Sequence, residues 1–274
     1  MATNKKYENE VLRWQAMKYN DLTRENGWLA LAGLYWLNEG RNLIGSNPMC
    51  EVILPERSPT FIGVAERKGK TVRFSAAEGV RVKINDRSAQ KAILKSSQEA
   101  KPSFITWNET LRMVLHQHAG SYAIRIWDNE RTERFSLPPL KWFPIDKHFR
   151  IPARYKRYPE SQVMDHPDTL GDTVEDRVDG FVTFKFEGNT YRLDASESKS
   201  GKLFIKFRDQ TSNKESYPPS RYYYTEPVKN GRVTIDFNFA YSPPCAFTEY
   251  ATCIFAPPQN HLPFRVEAGE MYRG

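Results

Sequence analysis

The sequence predicts a mainly β protein: one N-terminal helix, a β-sandwich, and then a second antiparallel β-sheet or barrel unit. Three observations carry this. Short strand-like runs separated by close-set turn signals recur over most of the 274 residues. Several runs alternate, most clearly Val233, Ile235, Phe237, Phe239 and Tyr241 against Thr234, Asp236, Asn238 and Ala240. Helical periodicity of any length is confined to the start of the chain.

The helix is predicted over Tyr7–Arg24. Val11, Trp14, Ala16, Met17 and Leu22 form its apolar stripe, and Asn26-Gly27 stops it. Trp28–Leu37 lacks β-branched residues and reads as a buried strand, with Glu39-Gly40 as the turn to a partner at Asn42–Gly45. Strands are then predicted at Val52–Leu54, Phe61–Glu66, Thr71–Ser75, Val80–Ile84, Ala92–Leu94, Phe104–Trp107, Leu111–Leu115 and Tyr122–Trp127. Leu137–Pro144 is proline-rich and marks the crossing between two domains, 1–140 and 141–274. In the second, Arg150–Tyr158 is a strand and Pro159–Gly171 a polar loop. Further strands follow at Val174–Val178, Phe181–Phe186, Thr190–Asp194, Leu203–Arg208, Tyr222–Thr225 and Val233–Tyr241. Pro243-Pro244 removes two backbone donors and takes the chain out of the sheet.

Hydrophobic residues make up 39% of the chain and aromatics 13%, enough for a substantial core and against disorder. The longest apolar run, Trp28–Leu37, is about half of what a bilayer span requires, and the charged first ten residues do not form a secretory signal. A cytoplasmic protein without membrane association is expected. Three cysteines, Cys50, Cys245 and Cys253, do not make a disulfide scaffold. The net charge of +7 is uneven: residues 1–150 hold 24 Lys and Arg against 16 Asp and Glu, and residues 151–274 hold 16 against 17. Without a zinc finger, an RNA-binding aromatic motif or a long basic run, this reads as a solvated basic surface, and no nucleic-acid partner is expected.

Enzyme signatures are missing: no nucleophile elbow, metalloprotease helix, phosphate-cradling loop or dinucleotide fingerprint occurs. Cys245, Cys253 and His261 are spaced too widely for an ordinary zinc site, so packed thiols are expected and no metal or other cofactor. His116 and His118 share one face of a predicted strand, read as polar and solvated. Asp236 and Asn238 also share a strand face, which places their Cα atoms about 6.5–7 Å apart. If the second unit closes into a barrel, these two with Arg221, Tyr241 and Asn260 form the candidate ligand-binding set; otherwise their face is simply wet.

Two resemblances add to this. Gly45 with Glu51-Val-Ile-Leu54 resembles the opening of a forkhead-associated domain. The phosphate-reading Arg and His positions are Ser46 and Phe61, so the resemblance implies the sandwich fold without phosphopeptide binding. Gly27–Leu37, Leu43–Ser46, Trp142-Phe-Pro144, Asp236–Phe247, Asn260 and Ala268-Gly-Glu270 resemble an uncharacterised prokaryotic family, domain of unknown function number 1684. The family usually has Asn where this chain has Ser242. The resemblance implies a two-part β protein and no particular reaction. The preferred reading is an uncharacterised β protein that binds a small polar ligand in its C-terminal unit. The alternatives are a hydrolase in which Asp236 positions or activates water, and a protein-interaction module acting through the basic first half.

Overall fold

The computed structural model describes residues 2–272. The protein is mainly β, with sheets that are antiparallel except where Gly40–Gly45 pairs in parallel with Val52–Ile53, and one long helix, Ala2–Thr23. It divides into two compact units, Asp21–Leu137 and Met1–Asn20 with Pro138–Gly274.

In the Asp21–Leu137 unit, a six-stranded and a five-stranded sheet share one core, in which Ile44, Val72 and Phe74 of one meet Ile105, Met113 and Ile124 of the other. Trp28–Ala30 forms a 3-10 turn and Leu31–Trp36 a strand. This strand and Gly40–Gly45 are not hairpin partners: the first pairs with Ser121–Asp128 and the second with Gly63–Lys68, in the other sheet. The fully buried Asn42 makes the crossover. Its side chain accepts from the Asn38 N–H at 2.8 Å and donates to the carbonyls of Asn38 at 2.9 Å and Ala65 at 3.2 Å. Gly45 is required where it stands, because a Cβ there would lie 2.1 Å from the Thr60 carbonyl oxygen. Ser46 donates to the Ser58 carbonyl at 2.8 Å, so its hydroxyl ties the loop down. The expectation of a solvated histidine face fails at His116, which is buried and lies 3.2 Å from the Arg125 guanidinium. Burial, with Arg125 and His118 beside it, pushes its pKa down to about 3.

The second unit is built on a six-stranded antiparallel sheet. Its spatial order is Arg221–Tyr224, Leu203–Phe207, Asn189–Glu197, Thr173–Phe186, Arg150–Pro167, Arg232–Asp236. The predicted loop at 159–171 is mostly strand: Arg150–Pro167 runs straight through Pro159, and a register shift between Arg157 and Gln162 absorbs the proline. Its polar composition misled because most of this stretch is exposed on both faces. The two strands predicted between 174 and 186 are one, Thr173–Phe186.

The sheet curls until its edge strands meet. Tyr223 makes the join: its hydroxyl accepts from the Asp236 N–H at 2.9 Å and donates to the Thr234 carbonyl at 3.2 Å. Inside the curl lie Ile205, Phe207, Phe184, Ile235 and Phe237. The helix belongs to this unit over residues 1–20 and not, as the sequence suggested, to the first domain. Tyr7, Val11, Trp14 and Lys18 lie along one side of it. Val11 is fully buried, while Ala16 and Met17, expected in the stripe, are exposed. Trp14 packs edge-on against Trp142, Phe239 and Tyr241 at 5.2–6.1 Å between ring centroids.

Phe237 is fully buried and touches the rings of Phe184, Phe207 and Tyr223. Phe237→Ala removes a ring from a site that cannot collapse around the loss. The expected cost is about 3–5 kcal/mol, read as a lower midpoint in urea unfolding with an unchanged slope.

Candidate functional site

The strand predicted to run to Tyr241 ends at Asp236, where Phe237–Phe239 turns into a 3-10 helix. Asp236 is the cause. Its carboxylate accepts from the Asn238 N–H at 3.2 Å and caps the turn. The wet face expected for Asp236 and Asn238 therefore does not exist, and both side chains are buried. Tyr7 donates from its hydroxyl to both Asp236 oxygens at 2.9 and 3.0 Å, and Arg150 Nε lies 3.3 Å away. Asn238 Nδ2 is within 2.8–3.0 Å of Tyr7 Oη, the Asp146 carbonyl and Asp236 Oδ1, and Asn238 Oδ1 accepts from the Asp146 N–H at 2.9 Å. Burial raises the pKa of Asp236, while the donors from Asn238 and Tyr7 act in the opposite direction.

Around this network the helix and the curled sheet leave a cavity of about 550 Å³. Tyr7, Trp14, Phe239 and Tyr241 supply aromatic wall, and Lys6, Arg13, Lys18, Arg150 and Lys202 supply positive charge. Glu10, Glu226 and Asp236 are the acidic side chains of the lining, so cations outnumber carboxylates. Two of these three carboxylates are engaged: Asp236 by Arg150, and Glu226 by Lys202 at 3.1 Å. Lys18 Nζ sits 4.4 Å from the centroid of the Tyr241 ring and 5.7 Å from that of Trp14.

Of the five sequence-predicted site residues, Asp236 and Tyr241 border this cavity, and Asn238 stands directly behind Asp236. Arg221 and Asn260 are elsewhere. Arg221 is fully buried and donates to Asp209 at 2.9 Å and to the carbonyls of Val266 at 2.9 Å and Ala268 at 2.5 Å. Asn260 is spent on backbone: Oδ1 accepts from the Asp194 N–H at 2.7 Å, and Nδ2 donates to the carbonyls of Asp194 and Lys206 at 2.9 and 2.8 Å. Both residues hold the fold together. His261, the third member of the Cys-Cys-His spacing, is exposed.

Sequence reasoning missed the helix's share of the cavity. The signal was there: Lys18 falls four residues after Trp14, on the helix side that carries Tyr7 and Val11. It also missed a buried ionic cluster, in which His166 Nδ1 lies 3.0 Å from Asp176 Oδ2 and Lys206 hydrogen-bonds the same oxygen. The signal for it was Asp176 standing in phase with the buried Val174 and Val178. Burial works against the Asp176 charge, but His166 and Lys206 hold its pKa below the ordinary range.

Glu270, from the Ala-Gly-Glu motif, is buried and accepts from the Ser242 N–H at 3.0 Å. Gly269 has φ +82, and a Cβ there would lie 2.6 Å from the Ala240 carbonyl, so only glycine delivers Glu270 to this position. Burial pushes the Glu270 pKa up to about 7, against the pull of Arg221 and Lys18.

Residues 136–271 match the model of a family described as protein of unknown function (DUF1684). The chain belongs to that family. The matched segment coincides closely with the Pro138–Gly274 part of the second unit, whereas the helix that completes the cavity lies outside it. A solution NMR structure of an uncharacterized protein from Haloarcula marismortui is 32% identical, with 50% of this chain and 78% of that one aligned and a TM-score of 0.42. No curated protein matches the chain. No described helix is long and apolar enough to cross a membrane.

Two outcomes follow from this geometry. Asp236→Ala removes the cap and strands the Tyr7 hydroxyl and the Asn238 amide, so it costs about 2–4 kcal/mol, against about 1–2 kcal/mol for Tyr7→Phe. Urea denaturation of both variants measures this, and an Asp236→Ala protein as stable as wild type contradicts it. Glu270 supplies a pH dependence. Its pKa rises from 4.5 to about 7 on folding, so between these values the native state holds a proton that the unfolded chain has lost. The Glu270 contribution to stability is thus intact below about pH 4.5 and falls as pH climbs towards 7, by up to about 3 kcal/mol. Glu270→Gln keeps an acceptor for Ser242 and removes this decline. The stability difference between variant and wild type, followed from pH 4.5 to 8, is expected to grow in the variant's favour.

Proposed function

We propose that the C-terminal unit binds a small polar ligand, anionic at one end and planar or apolar at the other, in the cavity under the helix. The observation that carries this is an excess of lysine and arginine on walls otherwise made of tyrosine, tryptophan and phenylalanine rings. Aromatic faces take the body of such a molecule, and cations fix its charged end. The volume of about 550 Å³ suits a molecule of metabolite size. Asp236 and Asn238 serve the site by holding Tyr7 in its wall, and Tyr241 supplies a ring that already carries Lys18.

One observation favours a hydrolase as second reading: Asp236 is buried beside Arg150 at the cavity wall. Against it, the Asp236 oxygens already accept from Tyr7 and Asn238, which leaves little room for an attacking water. For the first unit, the spacing of Gly45 to Glu51-Val-Ile-Leu54 supports a forkhead-associated-like sandwich, and the Ser46 hydroxyl, turned onto the Ser58 carbonyl, supports its not reading phosphate.

The test is a thermal-shift screen of aromatic carboxylates and phosphates. At least one is expected to raise the melting temperature of wild type. Arg13→Gln with Lys18→Gln, both on the helix surface, should weaken that compound's affinity about tenfold, or 1.4 kcal/mol. If no anion stabilises the wild type, or the double variant binds as well, the reading is wrong. Recovery of the bound compound intact supports binding; a cleaved product, absent with Asp236→Asn, supports the hydrolase.

A further inference from the structure

Cys245 and Cys253 come together on the far side of Tyr241, in a small apolar cluster with Tyr222, Ala251 and Phe204. Cys245 lies in the 3-10 turn Pro244–Ala246, which the two prolines set. Cys253 lies in an extended segment pinned by Thr169: the Thr169 N–H donates to the Cys253 carbonyl at 3.1 Å, and the Cys253 N–H donates to Thr169 Oγ1 at 3.0 Å. The Cys245 N–H points at Cys253 Sγ, 3.3 Å away, which makes the two cysteines direct neighbours. Tyr217 donates from its hydroxyl to Cys245 Sγ at 3.5 Å and to the Cys245 carbonyl at 3.3 Å. The Tyr222 hydroxyl is committed to the Ile254 carbonyl at 2.6 Å.

The two sulfurs are not equivalent. Donors from Cys253 and Tyr217 converge on Cys245 and lower its pKa, whereas Cys253, as the donor to Cys245 and the more buried of the two, is raised. Cys245 is also the more exposed. A partly exposed thiol with a lowered pKa, set beside a more buried second thiol, is the arrangement of an attacking and a resolving cysteine. Cys50 offers a contrast within the chain: it is buried in the other unit, with its pKa raised by burial and by Glu51.

We propose that Cys245 and Cys253 form a redox-active dithiol that a hydroperoxide closes to a disulfide and a thiol reductant reopens. In the first step the Cys245 thiolate attacks one peroxide oxygen. The O–O bond breaks, Cys245 becomes a sulfenic acid, and the departing hydroxide takes a proton from solvent to leave as water. In the second, Cys253 sulfur attacks Cys245 sulfur; the S–S bond forms, and the hydroxyl leaves as water with the Cys253 proton. Two thiols lose two electrons and one peroxide gains them, giving one disulfide and two waters. This site is independent of the ligand proposed for the cavity.

The test uses the full-length, reduced chain. One equivalent of hydrogen peroxide is added, remaining thiols are blocked with iodoacetamide, and peptides are mapped by mass spectrometry. Both cysteines lie in the tryptic peptide of residues 233–265. That peptide is expected to lose about 2 Da and take up no label while Cys50 stays fully labelled, and dithiothreitol should reverse the change. Without peroxide, Cys245 should be alkylated at neutral pH about tenfold faster than Cys50. In Cys253→Ser, dimedone should trap a sulfenic acid on Cys245. The proposal is overturned if wild-type Cys245 and Cys253 both stay alkylatable after peroxide, or oxidise no faster than Cys50. Because the decisive arm uses wild type, failure of the variant to fold leaves the test intact.

Discussion

The second unit depends on one buried carboxylate. Asp236 ends a strand, caps the turn after it, receives the Tyr7 hydroxyl from the helix and sits against Arg150 at the start of the longest strand. Without it the buried Tyr7 hydroxyl and the Asn238 N–H would lose their acceptor. A charge this enclosed is tolerated because its oxygens are covered by donors, which repay the loss of water only while all of them stay in place. Hydrogen bonding thus fixes where the helix docks, and Trp14 adds ring packing against Trp142, Phe239 and Tyr241.

A second buried ion pair ties down the end of the chain. Arg221 and Asp209 are both fully buried, and together they grip the backbone around 266–268 from two sides: Arg221 donates to the Val266 and Ala268 carbonyls, and Asp209 accepts from the Val266 N–H at 2.7 Å. The next two residues are Gly269, which only its positive φ allows to pass Ala240, and Glu270, which reaches back to Ser242. The Ala-Gly-Glu motif therefore reads as the last fastening of the curled sheet. Its partner motif, Asp236 to Phe247, carries the turn, the cavity ring Tyr241 and the first thiol within a dozen residues. Cavity and dithiol lie close to one another because one segment builds both.

Much of the fold was legible in the sequence, and the errors share a cause. Most strands were found within a few residues because turn chemistry at Asn85-Asp86, Ala119-Gly120, Glu187-Gly188 and Asn230-Gly231 is local: both residues of each pair have positive φ where the sequence suggests a turn. The Arg150–Pro167 strand was cut short because its outer part buries almost nothing, and polar composition there says loop until the partner strand is seen. The Leu31–Trp36 and Gly40–Gly45 strands went to different sheets because a single side chain, Asn42, satisfies the crossover backbone.

By itself the sequence determined the β class, the one long helix, the family membership and the segment that matters most. Those follow from residue type, period and short-range turn chemistry. Only the tertiary structure decided what Asp236 does. On a regular strand it would have faced away from Phe237; the 3-10 turn that it caps itself brings it inward, beneath a tyrosine more than two hundred residues earlier in the chain. The same holds for Arg221 and Asn260, whose polarity suggested a site and whose partners turned out to be buried backbone. A polar side chain looks alike in sequence whether it meets solvent, a ligand or a buried carbonyl. Which of these it meets is set by contacts between residues far apart in the chain, and no local pattern encodes them.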